Sequence, residues 1–390
     1  MSWVMGVWVL VGFGWCWLCW WRKKNEMNGE RSGIPNGSMG WPFIGETLDF
    51  IASGHTSRPV SFMDKRRSLY GKVFKSHLLG RPIIISTDSE VNKVILRNDG
   101  RTFIPYYPKS VTELLGQSSI LKINGNLQRR VHGLIGSFLK SPQLKTQITR
   151  EIEECVELSI GNWKEGQLVH LQDETKDMTF QVLVRALMST GPGEEMKFLQ
   201  REFQEFVEGL ICLPVKFPGT RLYKSLKDEN TRLKREKTHS GEPYTWTDYM
   251  SLPFTQNVIN ETLRMANIIN GVWRKALKDV EIKGYLIPKS WCVLASFSSI
   301  HMDEGNYENP YQFNPWRWQG KEASISNNFT PFGGGQRLCP GLELARLEVS
   351  IFLHHFITRH RWVAEEDSIV NFPTVKMKRR LPIRVTPIST

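Results

Sequence analysis

Residues 332–341 read Phe332-Gly-Gly-Gly-Gln-Arg-Leu-Cys-Pro-Gly341 and run directly into an apolar, helix-forming stretch at 342–358. The segment holds one cysteine, Cys339, just ahead of a predicted helix. Free backbone N–H groups and the helix dipole at such a position favour a thiolate. Glycines on both sides, Gly335 and Gly341 among them, let backbone approach a flat ligand closely. Phe332 opens the segment, and Arg337 is placed to neutralise a carboxylate on such a ligand. A phosphate cradle is excluded, because no Gly-Lys-Ser/Thr follows the glycines. Zinc needs further Cys or His ligands, and none lies at metal-site spacing from Cys339. A thiolate bound to haem iron needs only one. Read alone, the segment is equally a buried free cysteine beside a glycine-rich turn.

Two upstream patterns change its weight. Glu261-Thr-Leu-Arg264 lies in a helical context, where i, i+3 spacing puts acid and base on one face. Alone it reads as a surface ion pair. Phe313-Asn-Pro315-Trp-Arg317-Trp318 is an aromatic loop with one arginine that can join that carboxylate in a fork. Alone it reads as a structural turn.

The rest of the chain bounds the class. Its 390 residues suffice for one large domain or two modest ones. Apolar residues at 40% and charged residues at 23% exclude a disordered chain, and six cysteines exclude a disulfide-built scaffold. A net charge of +12 is spread without a run of five like charges, which leaves nucleic-acid binding without support. Mean hydropathy of −0.33 excludes a polytopic membrane protein. Residues 2–21 are different material: SWVMGVWVLVGFGWCWLCWW carries no charge and no proline. Twenty such residues span about 30 Å as a helix, the thickness of a bilayer's hydrocarbon core. Arg22, Lys23 and Lys24 follow at once, and Trp20 and Trp21 sit where an interfacial belt would lie. A cleaved signal would want charge before the run and a small-residue cleavage site, and neither is present. The expectation is a single-span anchor with the following chain cytosolic. Cys16 and Cys19, inside the run, read as membrane packing.

Residues 22–45 form a basic, turn-rich linker with a proline hinge, and a domain over 46–390 follows. Within it, a short helix is expected at 62–70, strands at 72–79 and 82–86, and a helix capped by Thr87 or Asp88 carrying Val91, Val94 and Ile95 on one face. Residues 102–117 read as an irregular apolar loop, equally a pocket lining or core. Helical periodicity recurs over 134–139, 148–160, 178–188, 196–210, 254–265 and 342–358. The polar stretch 224–240 fits a solvated helix or a loop. Strands are expected near 280–287 and 292–297, and a hairpin over 375–385. His354 and His355 read as surface or core residues rather than metal ligands. The fold class is mainly α with small antiparallel sheets.

Taken together and in order, the three motifs resemble the haem-thiolate monooxygenases, the cytochrome P-450 family. That resemblance implies the family's fold, a haem cofactor with Cys339 as its iron ligand, and a structural triad of Glu261, Arg264 and Arg317. It implies Arg274 and Arg337 as haem-propionate contacts, with Gln128 and His132 at further propionate positions where the family carries an aromatic and a basic residue. It also implies an NADPH-cytochrome P-450 reductase as partner and the endoplasmic reticulum membrane as location. The stretches GWPFIGETLDFIASG, SFMDKRRSLYGKVFKSH, ETLRMANIINGVWRKALKDVEIKGYLIP and PFGGGQRLCPGLELARLE are similar to plant enzymes that hydroxylate steroid side chains in brassinosteroid synthesis. The C-23 hydroxylase type, the ROTUNDIFOLIA-like branch, is the most similar. A sterol substrate follows, with residues 102–117 and 268–272 as pocket walls. One family element is missing: no A/G-G-x-D/E-T-T/S motif occurs. The chain is also shorter than a typical member, and the resemblance places the lost segment near 227–228. The alternative reading is therefore an inactive isoform or gene-model remnant without the oxygen-activating helix.

Overall fold

The computed structural model describes residues 33–56, 58–107, 118–188, 193, 196, 199, 200, 221–319, 328–371 and 375–388. The apolar run 2–21 lies outside them. Among the described residues no helix is long and apolar enough to cross a membrane. The chain divides into two compact units, one of residues 1–125 and 271–300, the other of 126–270 and 301–390.

The first unit is built on a sheet. Helices α1 (Thr47–Ser53) and α2 (Ser61–Tyr70) precede strands β1 (Val73–Leu78) and β2 (Arg81–Ser86). Helix α3 (Ser89–Arg97) starts at Asp88, whose carboxylate accepts the N–H groups of Glu90 and Val91. Strands β3 (Phe103–Pro105) and β5 (Gly271–Ala276), the hairpin β6 (Val280–Ile282) and β7 (Tyr285–Ile287), and β8 (Cys292–Ser296) follow. The five-stranded order is β1-β2-β8-β5-β3, and β2 runs parallel to β8. That parallel pair corrects the expectation of a purely antiparallel sheet. Period-two alternation gives each face its own core. Ile83, Ile85, Cys292 and Leu294 pack with Phe62 and Phe74, while Ile84 and Val293 pack with Val91, Ile95 and Phe103.

Two local expectations fail here. Val94 is exposed, because the buried stripe of α3 runs through Val91, Asn92, Ile95 and Leu96. The loop expected over 102–117 begins as β3, paired with β5 and burying Phe103 completely. Tyr106, just beyond it, lines a cavity of about 210 Å³ with Leu78, Leu79, Arg81, Ile83, Trp273 and Cys292. Residues 108–117 lie outside the described residues.

The second unit is helical. It holds α4 (Gly125–Leu139), α5 (Pro142–Gly161), α6 (Leu171–Met188), α7 (Arg221–Ser240), α8 (Trp246–Met250), α9 (Pro253–Met265) and α11 (Leu342–Arg359). Helix α10 (Ser298–His301) spans the division between the units. Ser141 caps α5, and proline stands at the start of α5 and α9, where its missing N–H costs nothing. Helix α11 is buried nearly all round from Leu347 onward and contributes Ile351, Leu353, Phe356 and Ile357 to the largest core cluster. His354 and His355 belong to that core: His354 meets Asn230 and Tyr244, and His355 faces the Tyr249 hydroxyl. The polar stretch 224–240 is helix, and α7 runs without a break through 227–228.

The expected terminal hairpin is not one. Strand β12 (Pro382–Pro387) pairs with β9 (His360–Ala364) and with β4 (Leu168–His170), whereas β11 (Lys376–Met377) pairs with β10 (Ile369–Val370).

Candidate functional site

Glu261 and Arg264 sit on the same face of α9 and are both fully buried. The carboxylate accepts five hydrogen bonds. Oε1 takes Arg264 Nη2 at 2.8 Å, Arg317 Nε at 3.0 Å and the Asn314 N–H at 2.9 Å; Oε2 takes Arg264 Nε and Trp318 Nε1, each at 3.0 Å. Burial pushes the Glu261 carboxyl up, but the bonds and charge of Arg264, then Asn314 and Arg317, outweigh it and hold the group below its ordinary value. The i, i+3 pair is therefore a buried fork rather than the surface pair that its spacing alone suggests. Arg317 joins it from a short 3₁₀ turn, Pro315–Trp318, and also donates to the carbonyls of Glu308 and Gln312.

The network extends to residues that no motif marked. Arg264 Nη1 donates to the His301 carbonyl at 2.8 Å. The His301 ring is fully buried: Nδ1 lies 2.5 Å from Asn267 Oδ1, and Nε2 accepts the Thr330 N–H at 2.9 Å. Tyr307 donates its hydroxyl to the Asn328 carbonyl, and Phe329 packs on Trp318 with ring centroids 4.5 Å apart. Residues 328–330, which lead into the cysteine segment, are thus held by the triad's own neighbours. Trp318 already stood in the aromatic motif, one residue after Arg317, and its burial shows why. His301 had none, because its partners are 29 and 34 residues away in sequence.

The cysteine loop is closed by its own backbone. Gly333 N–H donates to Thr330 O at 3.0 Å, and Cys339 N–H donates to Phe332 O at 3.1 Å. Gly333 and Gly335 adopt positive φ of 77° and 64°. A Cβ on Gly333 would meet nothing within 4 Å, so that side of the loop is open. Phe332 is half-buried against the large core, and residues 332–346 are half-buried or exposed throughout. Burial pushes the Cys339 thiol above its ordinary value, while the Gly341 N–H pulls it down. The thiolate expected from the helix N-terminus alone is therefore outweighed by burial in the free thiol.

Helix α4 reaches the same loop. His132 Nε2 is 2.7 Å from Leu338 O, and Gln128 Nε2 donates to Gln336 O at 3.2 Å. These two side chains, which the resemblance assigns to propionate positions, are here bonded to carbonyls of the cysteine loop. Arg337 lies in the 3₁₀ turn Gly335–Arg337 of that loop. Arg274 belongs to the sheet unit; it is buried, with Nε 3.1 Å from Asp99 Oδ1 and Nη1 donating to Trp273 O.

The donor set decides what metal fits. No group of three His, Cys, Asp or Glu able to hold a bare ion occurs among the described residues. A haem iron, already held by its porphyrin nitrogens, would need only the Cys339 thiolate from this loop. Haem fits that donor set, on a loop left open at Gly333.

The comparisons agree. The cytochrome P450 family profile matches residues 220–385. The chain is 56% identical to the Arabidopsis thaliana 3-epi-6-deoxocathasterone 23-monooxygenase CYP90C1, over 92% of this chain and 86% of that protein. It is 47% identical to the Arabidopsis enzyme of the same activity, CYP90D1, over 91% and 90%. The solved cyanobacterial CYP120A1, with retinoic acid bound, superposes with a TM-score of 0.74 at 20% identity, over 92% of this chain and all of that one. The chain belongs to the cytochrome P450 family, and haem is its cofactor. The alignment with CYP90C1 runs over 448 positions, more than the 390 residues of the whole chain, so the relative carries residues with no counterpart here.

Proposed function

We infer that this chain hydroxylates the side chain of a plant steroid at C-23 in brassinosteroid synthesis. The observation that carries the reading is the single thiol of Cys339, on a loop that the Glu261 network and α4 hold from both sides, in a chain 56% identical to a 23-monooxygenase. Cys339 Sγ would hold the iron, with Gly341 N–H on the sulfur and Arg337 for a propionate. Haem, when bound, supplies the reductive activation of O2, and overall one C–H, O2, two electrons and two protons yield C–OH and water. The electrons come from an NADPH-cytochrome P-450 reductase. The protein's part is to hold the thiolate, keep its loop closed and present one carbon of the sterol. The apolar run 2–21 anchors the chain as a single span in the endoplasmic reticulum membrane with the domain cytosolic.

A second reading rests on two specific observations: the missing A/G-G-x-D/E-T-T/S motif, and an alignment longer than the chain. On that reading a segment near 227–228 has been lost, and the chain is an inactive isoform. One experiment separates them. Microsomes holding the chain and reductase are given 3-epi-6-deoxocathasterone and NADPH, and the reduced carbon-monoxide difference spectrum is recorded alongside. A thiolate-type Soret band with 23-hydroxylated product supports the first reading, and Cys339→Ser must abolish both. A thiolate band without product supports the inactive isoform. No haem absorbance at all overturns the proposed activity for this chain.

A further inference from the structure

We propose that His301 is a positioning residue of the thiolate loop, the link that transmits the buried Glu261–Arg264–Arg317 network to Cys339. The proposal rests on the haem-thiolate reading of that loop and names a residue that the reading does not include.

The hydrogen bonds around the His301 ring fix its tautomer and its partners. The Thr330 N–H can only donate, so His301 Nε2 must be bare and accept. The ring proton is then on Nδ1 and goes to Asn267 Oδ1. Asn267 in turn uses its Nδ2 to donate to the Arg264 carbonyl at 2.9 Å, which fixes which end of the amide faces the ring. Arg264 completes the circuit by donating to the His301 carbonyl. Tautomer, amide orientation and guanidinium position therefore determine one another. An imidazolium would set a second donor against the Thr330 N–H. Burial, with Arg264 nearby, holds the ring neutral by lowering its pKa to about 3.

What His301 fixes is the entrance of the loop. The buried hydroxyl of Thr330 has no hydrogen-bond partner among the described residues, so Thr330's polar tethers are its backbone groups. Its N–H goes to His301, and its carbonyl accepts from Gly333. One residue before Gly333, the Phe332 carbonyl takes the Cys339 N–H. Three successive hydrogen bonds thus separate the imidazole from the cysteine backbone. Losing the first leaves an unpaired buried N–H at the loop's root, and no other side chain in that contact set can accept it.

The test compares two amides by amide hydrogen exchange on the full chain in detergent, read by mass spectrometry and independent of haem. In His301→Gln the side-chain oxygen reaches the position of Nε2 and keeps an acceptor for Thr330. In His301→Asn it reaches only toward Asn267. The expected result is wild-type exchange of residues 330–339 in His301→Gln, and at least tenfold faster exchange there in His301→Asn, with 347–357 unchanged in both. In the haem-loaded protein, His301→Asn also converts part of the reduced carbon-monoxide band from the thiolate to the thiol type, and His301→Gln does not. Equal exchange in both variants, or acceleration spread evenly over 342–357, overturns the proposal. If His301→Asn does not fold, the wild-type chain decides. The Thr330 amide must exchange at least tenfold more slowly than the exposed Gly335 amide, and equal rates overturn the proposal. Absence of haem binding would sink the reading of the loop without touching the exchange result, so the two failures are distinguishable.

Discussion

Replacing Glu261 by Gln changes no shape and removes one charge, which makes it the sharpest probe of the buried network. The wild-type carboxylate serves five donors, three at Oε1 and two at Oε2. A glutamine amide offers one oxygen. In its better orientation that oxygen keeps Arg264 Nη2, Arg317 Nε and Asn314 N–H, and the new NH2 faces Arg264 Nε and Trp318 Nε1. Two buried donors then meet a third donor, and two guanidinium groups lose their countercharge. Removing one partner of a buried ion pair costs about 3–5 kcal/mol, roughly a hundredfold to a few thousandfold in the unfolding equilibrium. Urea unfolding of the full chain in detergent, followed by tryptophan fluorescence, measures it. The control is Glu343→Gln, which loses only the half-exposed Lys145 pair and should cost less than about 1 kcal/mol. The sign with pH follows from the depressed carboxyl of Glu261. Its contribution is fully present above the ordinary carboxylate value and is lost as pH falls through the lower folded one. The gap between wild type and Glu261→Gln should therefore close in acid. A loss below about 1 kcal/mol at neutral pH, or a gap that widens in acid, would refute the account of a charged, fully used fork.

Three further outcomes are expected. Glu348, buried on α11, has its carboxyl pushed up to about 7 by burial, against a hydrogen bond from Thr179. The folded state therefore holds a proton that the unfolded state has released, and stability falls as pH rises from about 4.5 to 7. Glu348→Gln should stabilise by about 3 kcal/mol at pH 8 and by nothing below about pH 4, read from denaturation curves at both. Among the described cysteines Cys155 and Cys292 are buried and Cys339 is half-buried, so iodoacetamide on the native haem-free chain should modify Cys339 first. Haem should protect it, and equal labelling of all three would contradict the open loop. Asp88→Ala removes the acceptor of two N–H groups at the start of α3 and should cost about 1 kcal/mol in thermal unfolding.

What was legible in the sequence and what was not divides along the range of the interactions. The residues at 332–341 announce themselves because glycine, arginine and cysteine must stand close together for a loop to present one thiol. Helix α3 is legible from Asp88, because caps act within four residues, and α5 and α9 from the apolar periodicity over 148–160 and 254–265, although α5 begins six residues earlier, at Pro142. Apart from Val94, misplaced on the face of its own helix, the failures are cases where a partner far along the chain decides. Phe103–Pro105 becomes a strand only because β5, about 170 residues later, offers an edge. Strand β12 abandons a local hairpin for β9 and β4, which take both of its edges. Glu261-Thr-Leu-Arg264 is indistinguishable from a surface pair until Trp318, Asn314 and Arg317 close over it.

The same division explains why the motif and its support are read so differently. A ligand loop must be written locally, but the stiffness that keeps a thiolate in place comes from side chains recruited across the unit. Glu261 is 56 residues from Arg317, His132 is 206 from Leu338, and His301 is 29 from Thr330. His132 and His301 meet backbone groups of the 330–338 segment directly, and Glu261 acts on it only through Arg264 and His301. At Gly333, where a Cβ would meet nothing within 4 Å, the loop gains no stiffness from packing. It is held instead from its root and from behind, by buried hydrogen bonds whose loss is costly because water cannot replace them. Substitutions remote from Cys339, at Glu261 or His301, should therefore disturb the thiolate, read from the reduced carbon-monoxide spectrum, more than a change of the half-buried Gln336 side chain within the loop itself.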